Sequence, residues 1–143
     1  MAAVTDIALY NAQATPVLHT FIPQGRSGDT FWWEDQSAVA AIGNSKISIE
    51  VRRPKTPRAG ETSANRMIRV PFTIAYPVLE TLGTADSGLT PPPTVSHILR
   101  FNGEFLLPER STLAQRQHIR KYAEQLIANA TLVAATESLL SPY

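Results

Sequence analysis

A chain of 143 residues, 43% hydrophobic and 17% charged, is one domain's worth of material with enough apolar mass to bury a core. Its 13 basic residues are offset by 12 acidic ones, so it is no polycation, and any basic surface has to come from local clustering. Cysteine is absent, which excludes disulfides, thiolate catalysis and cysteine-ligated metal sites and fits a reducing compartment.

The opening "MAAVTDIALYNAQ" has no basic n-region and no long apolar run, so no signal peptide is expected. "TDIALYN" and "PVLHTFI" are short β-prone runs joined by "AQAT", a hairpin pattern. "PQGRSGD" reads as a turn, with two glycines and a proline, and "TFWWEDQ" as an aromatic strand ending in acids. "AIGNS" punctuates. "KISIEVR" then alternates, with Ile47, Ile49 and Val51 on one side and Lys46, Ser48, Glu50 and Arg52 on the other. "RRPKTPRAGETSAN" is an exposed connection.

"NRMIRVPFTIAYP" is another alternating strand. Ile68, Val70, Phe72, Ile74 and Tyr76 share one face, and Arg69, Pro71, Thr73 and Ala75 the other. Pro71 cannot donate a ladder hydrogen bond, which predicts a bulge or a diverging neighbour. "VLETLGTADSGLTPPPT" is a loop of about 17 residues, above the usual roughly 12–15, and so has the length of a functional loop. Pro91, Pro92 and Pro93 stiffen its return as polyproline II, while Gly83 and Gly88 free its tip. "VSHILRFNGEFLLP" is the longest strand, apolar at Val95, Leu99, Phe101, Phe105 and Leu107 and polar at Ser96, Arg100, Asn102 and Glu104. The tail turns helical. Thr112 and Gln115 fit a capping box, and Ile119, Tyr122, Ala123, Leu126 and Ile127 form an apolar stripe. "TLVAATESLL" is a shorter second helix, with Leu132, Ala135, Leu139 and Leu140 on one side.

The predicted class is therefore α+β in a single domain. An N-terminal hairpin over about 1–24 precedes an antiparallel sheet over 30–108, broken by a loop over 78–94, and a helical tail over 111–143 packs on one sheet face. The other face stays polar: Lys46, Ser48, Glu50, Arg52, Arg69, Thr73, Arg100 and Asn102. Two short helices are too little to roof six strands. A partner's helices completing the roof would make a homodimer, with Ile119, Tyr122 and Leu126 packing across, and the Trp32–Trp33 pair reads as core and dimer packing, Trp33 at the dimer interface, rather than as a ligand platform.

Catalysis finds little support. His19, His97 and His118 lack metal-ligand spacing, and His97, in an apolar row, reads as a satisfied core histidine. No G-x-S-x-G occurs. Glu34 and Asp35 are adjacent on a strand and point to opposite faces, a poor acid–base pair. No stretch approaches the roughly 18 apolar residues of a membrane span. No catalytic residue, metal, cofactor, membrane or small-molecule substrate is expected.

The order of two hairpin strands, four sheet strands and two helices resembles the coat proteins of single-stranded RNA bacteriophages, the leviviruses and their relatives. "TFWWED", "KISIEVRRP", "NRMIRVPFTIAYP", "RFNGEFLLP" and the terminal "SPY" carry the resemblance, which runs from about Thr5 to Tyr143. It implies an intertwined dimer with one continuous sheet. It further implies an icosahedral shell around single-stranded RNA, with the polar sheet face turned to the RNA and binding a stem-loop operator. Synthesis would take place in the bacterial host cytoplasm. The family's RNA-contacting positions fall at Lys46, Ser48 and Glu50, near Arg69, Pro71 and Thr73, and at Arg100 and Asn102. Glu50 replaces a small hydroxyl residue, Arg100 a stacking tyrosine, and Pro71 or its neighbour a lysine, so an operator of its own or sequence-independent packaging is expected. The face counts four bases and two acids, a net 4 − 2 = +2 per chain, and Arg100 could stack on a base. The loop around Gly83, Gly88 and Pro91–Pro93 would make contacts between dimers. The runner-up is a repressor dimer that does not assemble; a small enzyme is third.

Overall fold

The computed structural model describes residues 4–62, 66–83 and 88–141. The chain forms two compact units, Met1–Lys55 with Ile68–Leu106, and Thr56–Met67 with Leu107–Tyr143. The six strands follow one another in the sheet in chain order: β1 Ile7–Tyr10, β2 Leu18–Ser27, β3 Thr30–Asp35, β4 Ser45–Glu50, β5 Met67–Leu79 and β6 Val95–Pro108. Among the described residues two helices follow, α1 Leu113–Ile127 and α2 Ala130–Glu137. Among the described residues no helix is long and apolar enough to cross a membrane.

The first unit is organised by the pleat. Facing residues of antiparallel neighbours share a side, so Phe21 opposite Ile7, Trp33 opposite Ile47 and Phe31 opposite Ile49 build one apolar face. Phe21, Trp33 and Ile47 are its buried centre, with Ile7, Phe31, Ile49 and Ile74 packed around them. Full burial of a large apolar side chain contributes roughly 1.5–3 kcal/mol, an upper bound for these three, which keep 5–8% of their surface exposed. The Trp33 indole N–H donates to the Thr5 carbonyl at 2.9 Å, tying the N-terminal segment to the core. Further along the same face, the Phe72 ring lies over Gly103, with the Phe101 and Phe105 rings each 5.7 Å away.

Several expectations change in the structure. "PQGRSGD" is not a turn as a whole: β2 runs on to Ser27, with a register shift between Pro23 and Gly25. The bulge tolerates proline, and Gly25 supplies the φ of +121° that it needs. Only Gly28 and Asp29 turn the chain. Pro71 produces no bulge. The β4–β5 ladder runs from Lys46 opposite Ala75 to Ile49 opposite Phe72, lapses, and resumes in the same register where Arg52 bridges Arg69. The missing proline N–H interrupts the ladder without shifting it.

The long loop starts at Glu80 rather than at residue 78, because Val78 and Leu79 continue β5. Its neck is closed twice. The Glu80 N–H donates to the Thr94 carbonyl at 2.9 Å, and the Thr94 hydroxyl donates to the Glu80 carboxylate at 2.5 Å. Residues 84–87, part of the expected contact loop, lie outside the described residues, as do Asn65, Pro142 and Tyr143 of the quoted family motifs.

In the second unit the capping box forms as expected, Thr112 and Gln115 each satisfying the other's backbone N–H. Asn129 caps α2 through the Thr131 N–H at 2.9 Å. Leu139 and Leu140 fall beyond α2, which ends at Glu137; Leu139 takes a φ of 54° and stops the helix. No residue of either helix is buried, and Ile119, Tyr122, Leu126 and Ile127 are all exposed.

Candidate nucleic-acid interface

The register decides what lies opposite the apolar core. Glu34, Lys46 and Ala75 form one cross-strand row, and Trp32, Ser48 and Thr73 the next. Thr30 and Glu50 follow, then Arg52 and Arg69. Arg69 Nη1 reaches Glu104 Oε1 at 3.9 Å, which brings the Arg100, Asn102 and Glu104 parity of β6 to the same side. Lys46, Thr73, Arg100 and Asn102 also line one cavity of about 380 Å³, together with Trp32 and Ile98. All eight residues expected on the polar face therefore share it.

The face is tightly cross-linked. Ser48 and Thr73 hydroxyls meet at 2.6 Å, and the Thr30 hydroxyl donates to Glu50 at 3.0 Å. Arg52 grips Glu50 with Nε and Nη2, at 2.5 and 3.0 Å. That bidentate hydrogen bond holds the Glu50 carboxyl below its ordinary value and raises the Arg52 guanidinium. Lys46 Nζ stands 3.9 Å from Glu34, whose carboxylate also accepts from Asn44 Nδ2 at 3.0 Å. Glu34 thus belongs to the charge count. Four bases against Glu34, Glu50 and Glu104 give 4 − 3 = +1 per chain, lower than the +2 expected from sequence. Arg100 alone of the four bases has no carboxylate partner among the described residues.

The tryptophan pair, expected together in core and dimer packing, divides. Trp33 is 8% exposed and sits in the chain's own core, but Trp32 does not: it is 40% exposed on the polar face, because adjacent residues of a strand point to opposite sides. His97 is exposed, not a core histidine, with Nδ1 3.1 Å from Ser96 Oγ. The loop residues Gly83, Gly88, Pro91, Pro92 and Pro93 are exposed, and Gly88 takes a φ of 74°.

Sequence reading missed a cluster around His19. The ring Nδ1 is 2.6 Å from Asp35 Oδ2, and Ser37 Oγ donates to the same oxygen at 2.9 Å. Nε2 is 3.2 Å from Asn11 Nδ2. A carboxylate only accepts and an amide nitrogen only donates, so Nδ1 faces an acceptor and Nε2 a donor. The Ser37 hydroxyl lies on the Asp35 side of the ring and Asn11 occupies the far nitrogen, so no nucleophile–base relay results.

Residues 2–143 match the model of the family described as Levivirus coat protein. The chain belongs to the levivirus coat protein family. This coat protein is similar to the chain of the virus-like particle of bacteriophage ESE058, at 40% identity over 99% of this chain and 100% of that one, with a TM-score of 0.89. It is similar to that of bacteriophage NT-214 at 26% identity, over 99% and 100% of the chains, with a TM-score of 0.82. Likeness to the bacteriophage GA capsid protein, at 12% identity, 96% and 95% coverage and a TM-score of 0.67, extends to the fold alone. Comparison with curated proteins gives no match. Membership of a coat protein family makes the role of this chain a structural, non-enzymatic one.

Proposed function

We propose that this coat protein forms homodimers whose sheets join. The dimers assemble into an icosahedral shell around single-stranded RNA, and the polar sheet face meets that RNA. One observation carries the reading: the sheet separates an apolar face from a polar one that gathers Lys46, Arg52, Arg69 and Arg100 with hydroxyl and amide groups. The uncovered stripe of α1 and the exposed Leu99 and Phe101 of β6 supply the apolar surface that a second copy would bury. The relatives solved as virus-like particles support assembly.

A net +1 per chain gives weak phosphate binding in one dimer, and many copies in a shell turn it into retention. An operator stem-loop would use the same face. The chain would be made in the bacterial host cytoplasm and reside in the virion.

Expressed alone, the protein should give uniform particles by negative-stain electron microscopy, with nucleic-acid absorbance. Replacing Lys46, Arg69 and Arg100 together by Gln should preserve the fold, since solvated substitutions stay within about 0.5 kcal/mol each. RNA affinity should fall and its salt slope flatten, because fewer counterions are released. Unchanged affinity and slope would move RNA contact off this face, first to the "RRPKTPR" segment.

A further inference from the structure

Trp32 is uncovered for a reason built into β2. Across the β2–β3 ladder its partner is Gly25, the bulge glycine, which offers no side chain. A Cβ added at Gly25 would meet nothing within 4 Å, so that flank of the indole is open. Across the β3–β4 ladder its partner is Ser48, small and turned to Thr73. Hollows lie on both flanks. One, of about 380 Å³, is lined by Trp32 with Lys46, Thr73, Arg100 and Asn102. The other, of about 370 Å³, is lined by Trp32 with Gln24, Gly25, Arg26, Glu34 and Lys46.

Single exposed apolar residues are ordinary. Trp32 differs in its setting, a large π surface on a polar face with cations beside it. That combination is what single-stranded nucleic acid requires, since bases stack on an aromatic plane while the backbone follows positive charge. Arg26 is already engaged: it bonds the Gly28 carbonyl and Asp29 and lies 5.5 Å over the Phe31 ring. Arg100, which has no carboxylate partner among the described residues, and Lys46, whose ammonium stands 3.9 Å from Glu34, are the cations nearest the indole for phosphate.

We propose that Trp32 is a stacking platform for an unpaired base of single-stranded RNA, with Lys46 and Arg100 holding the adjoining phosphates and the Asn102 amide facing the base edge. The proposal rests on the polar face meeting RNA. It adds an aromatic group that neither the charge pattern nor the expected contact positions included.

The test uses the purified protein dissociated from particles and stripped of RNA, with two RNA probes, a 12-mer of uridine and the same backbone abasic at every position. Binding of the first should quench tryptophan fluorescence, and Trp32→Phe should remove that quenching, because Trp33 is buried. Trp32→Ala should weaken the uridine probe roughly 5- to 100-fold, leave the abasic probe unaffected and leave the salt slope unchanged. If Trp32→Ala disturbs the fold, the Phe variant and the comparison of probes on the unmutated protein carry the result.

RNA binding without quenching, or equal affinities in Trp32→Ala, overturns the platform and leaves the RNA-facing reading intact. Loss of dimers or particles in Trp32→Ala with RNA affinity unchanged makes Trp32 a subunit contact instead. No binding of either probe by the unmutated protein brings down both readings.

Discussion

Arg66 and Glu109 are joined twice, side chain to side chain and by the Glu109 N–H donating to the Arg66 carbonyl at 2.9 Å. Glu61 stands 3.6 Å from the same guanidinium, so one buried arginine holds two segments distant in sequence. Arg66→Ala should lower the melting temperature by several degrees. Arg66→Lys should recover only part of that, because an ammonium lacks the planar fork that reaches two carboxylates. Equal melting of Lys and Arg proteins would show that charge suffices and geometry does not matter.

Acid should loosen the N-terminal hairpin through Asp35. Burial pushes this carboxyl up, but hydrogen bonds from Ser37 and His19 outweigh it and hold the group below the usual 3.8. A lowered folded value means stability that is complete above about pH 4 and lost as pH falls through the folded pKa. Thermal melts across pH 5 to 2 should show this decline, and Asp35→Asn should flatten it while lowering stability at neutral pH. A parallel decline in both proteins would assign acid sensitivity to other carboxylates, such as Glu50.

Much of this was legible in the sequence, and the exceptions share a cause. Alternation in "KISIEVR" and "NRMIRVPFTIAYP" assigned both sheet faces correctly, because a half-covered strand has no other way to pattern itself. Thr112 and Gln115 marked the start of α1 for an equally local reason. What stayed hidden depends on register. Glu34 is beside Lys46, and Gly25 opposite Trp32, only because of how β2, β3 and β4 are aligned, and a bulge in β2 sets part of that alignment. "PQGRSGD" concealed this bulge, since its glycines and proline read as a turn. The His19 cluster draws on Asn11, His19, Asp35 and Ser37, whose spacing matches no motif.

Two glycines should respond differently to alanine. At Gly103 the new Cβ would meet the Phe72 ring at 2.5 to 3.1 Å, and that ring is held by Phe101 and Phe105. Overpacking of this kind costs about 1–3 kcal/mol. At Gly43 the close atoms are the far end of the Leu79 side chain, at 2.9 to 3.2 Å, which can swing aside. Urea denaturation should therefore rank Gly103→Ala well below Gly43→Ala. The reverse order would mean that the aromatic cluster yields more readily than its packing implies.

The exposed stripe of α1 gives a concentration-dependent prediction. If a second copy buries Leu126, Leu126→Ala should cost roughly 2–5 kcal/mol in the dimer. Folding and dimerisation should fall together in dilution series followed by circular dichroism and analytical ultracentrifugation. A stable folded monomer at micromolar concentration, in either protein, would remove the dimer from the proposed function.

Deleting residues 84–88 should leave the dimer intact and change or abolish particles, if the loop makes contacts between dimers. Particles of unaltered size and stability would make the loop dispensable for assembly.

The doubly bonded neck at Glu80 and Thr94 has a further consequence for what the chain can carry. With its ends fixed, the loop can lengthen without disturbing the strands behind it, and each doubling costs only about 0.6 kcal/mol in closure entropy. Foreign peptides spliced between Gly83 and Gly88 should therefore be accepted by the folded subunit over a wide range of lengths. Thr94→Val, which removes the hydroxyl half of the neck, should narrow that tolerance.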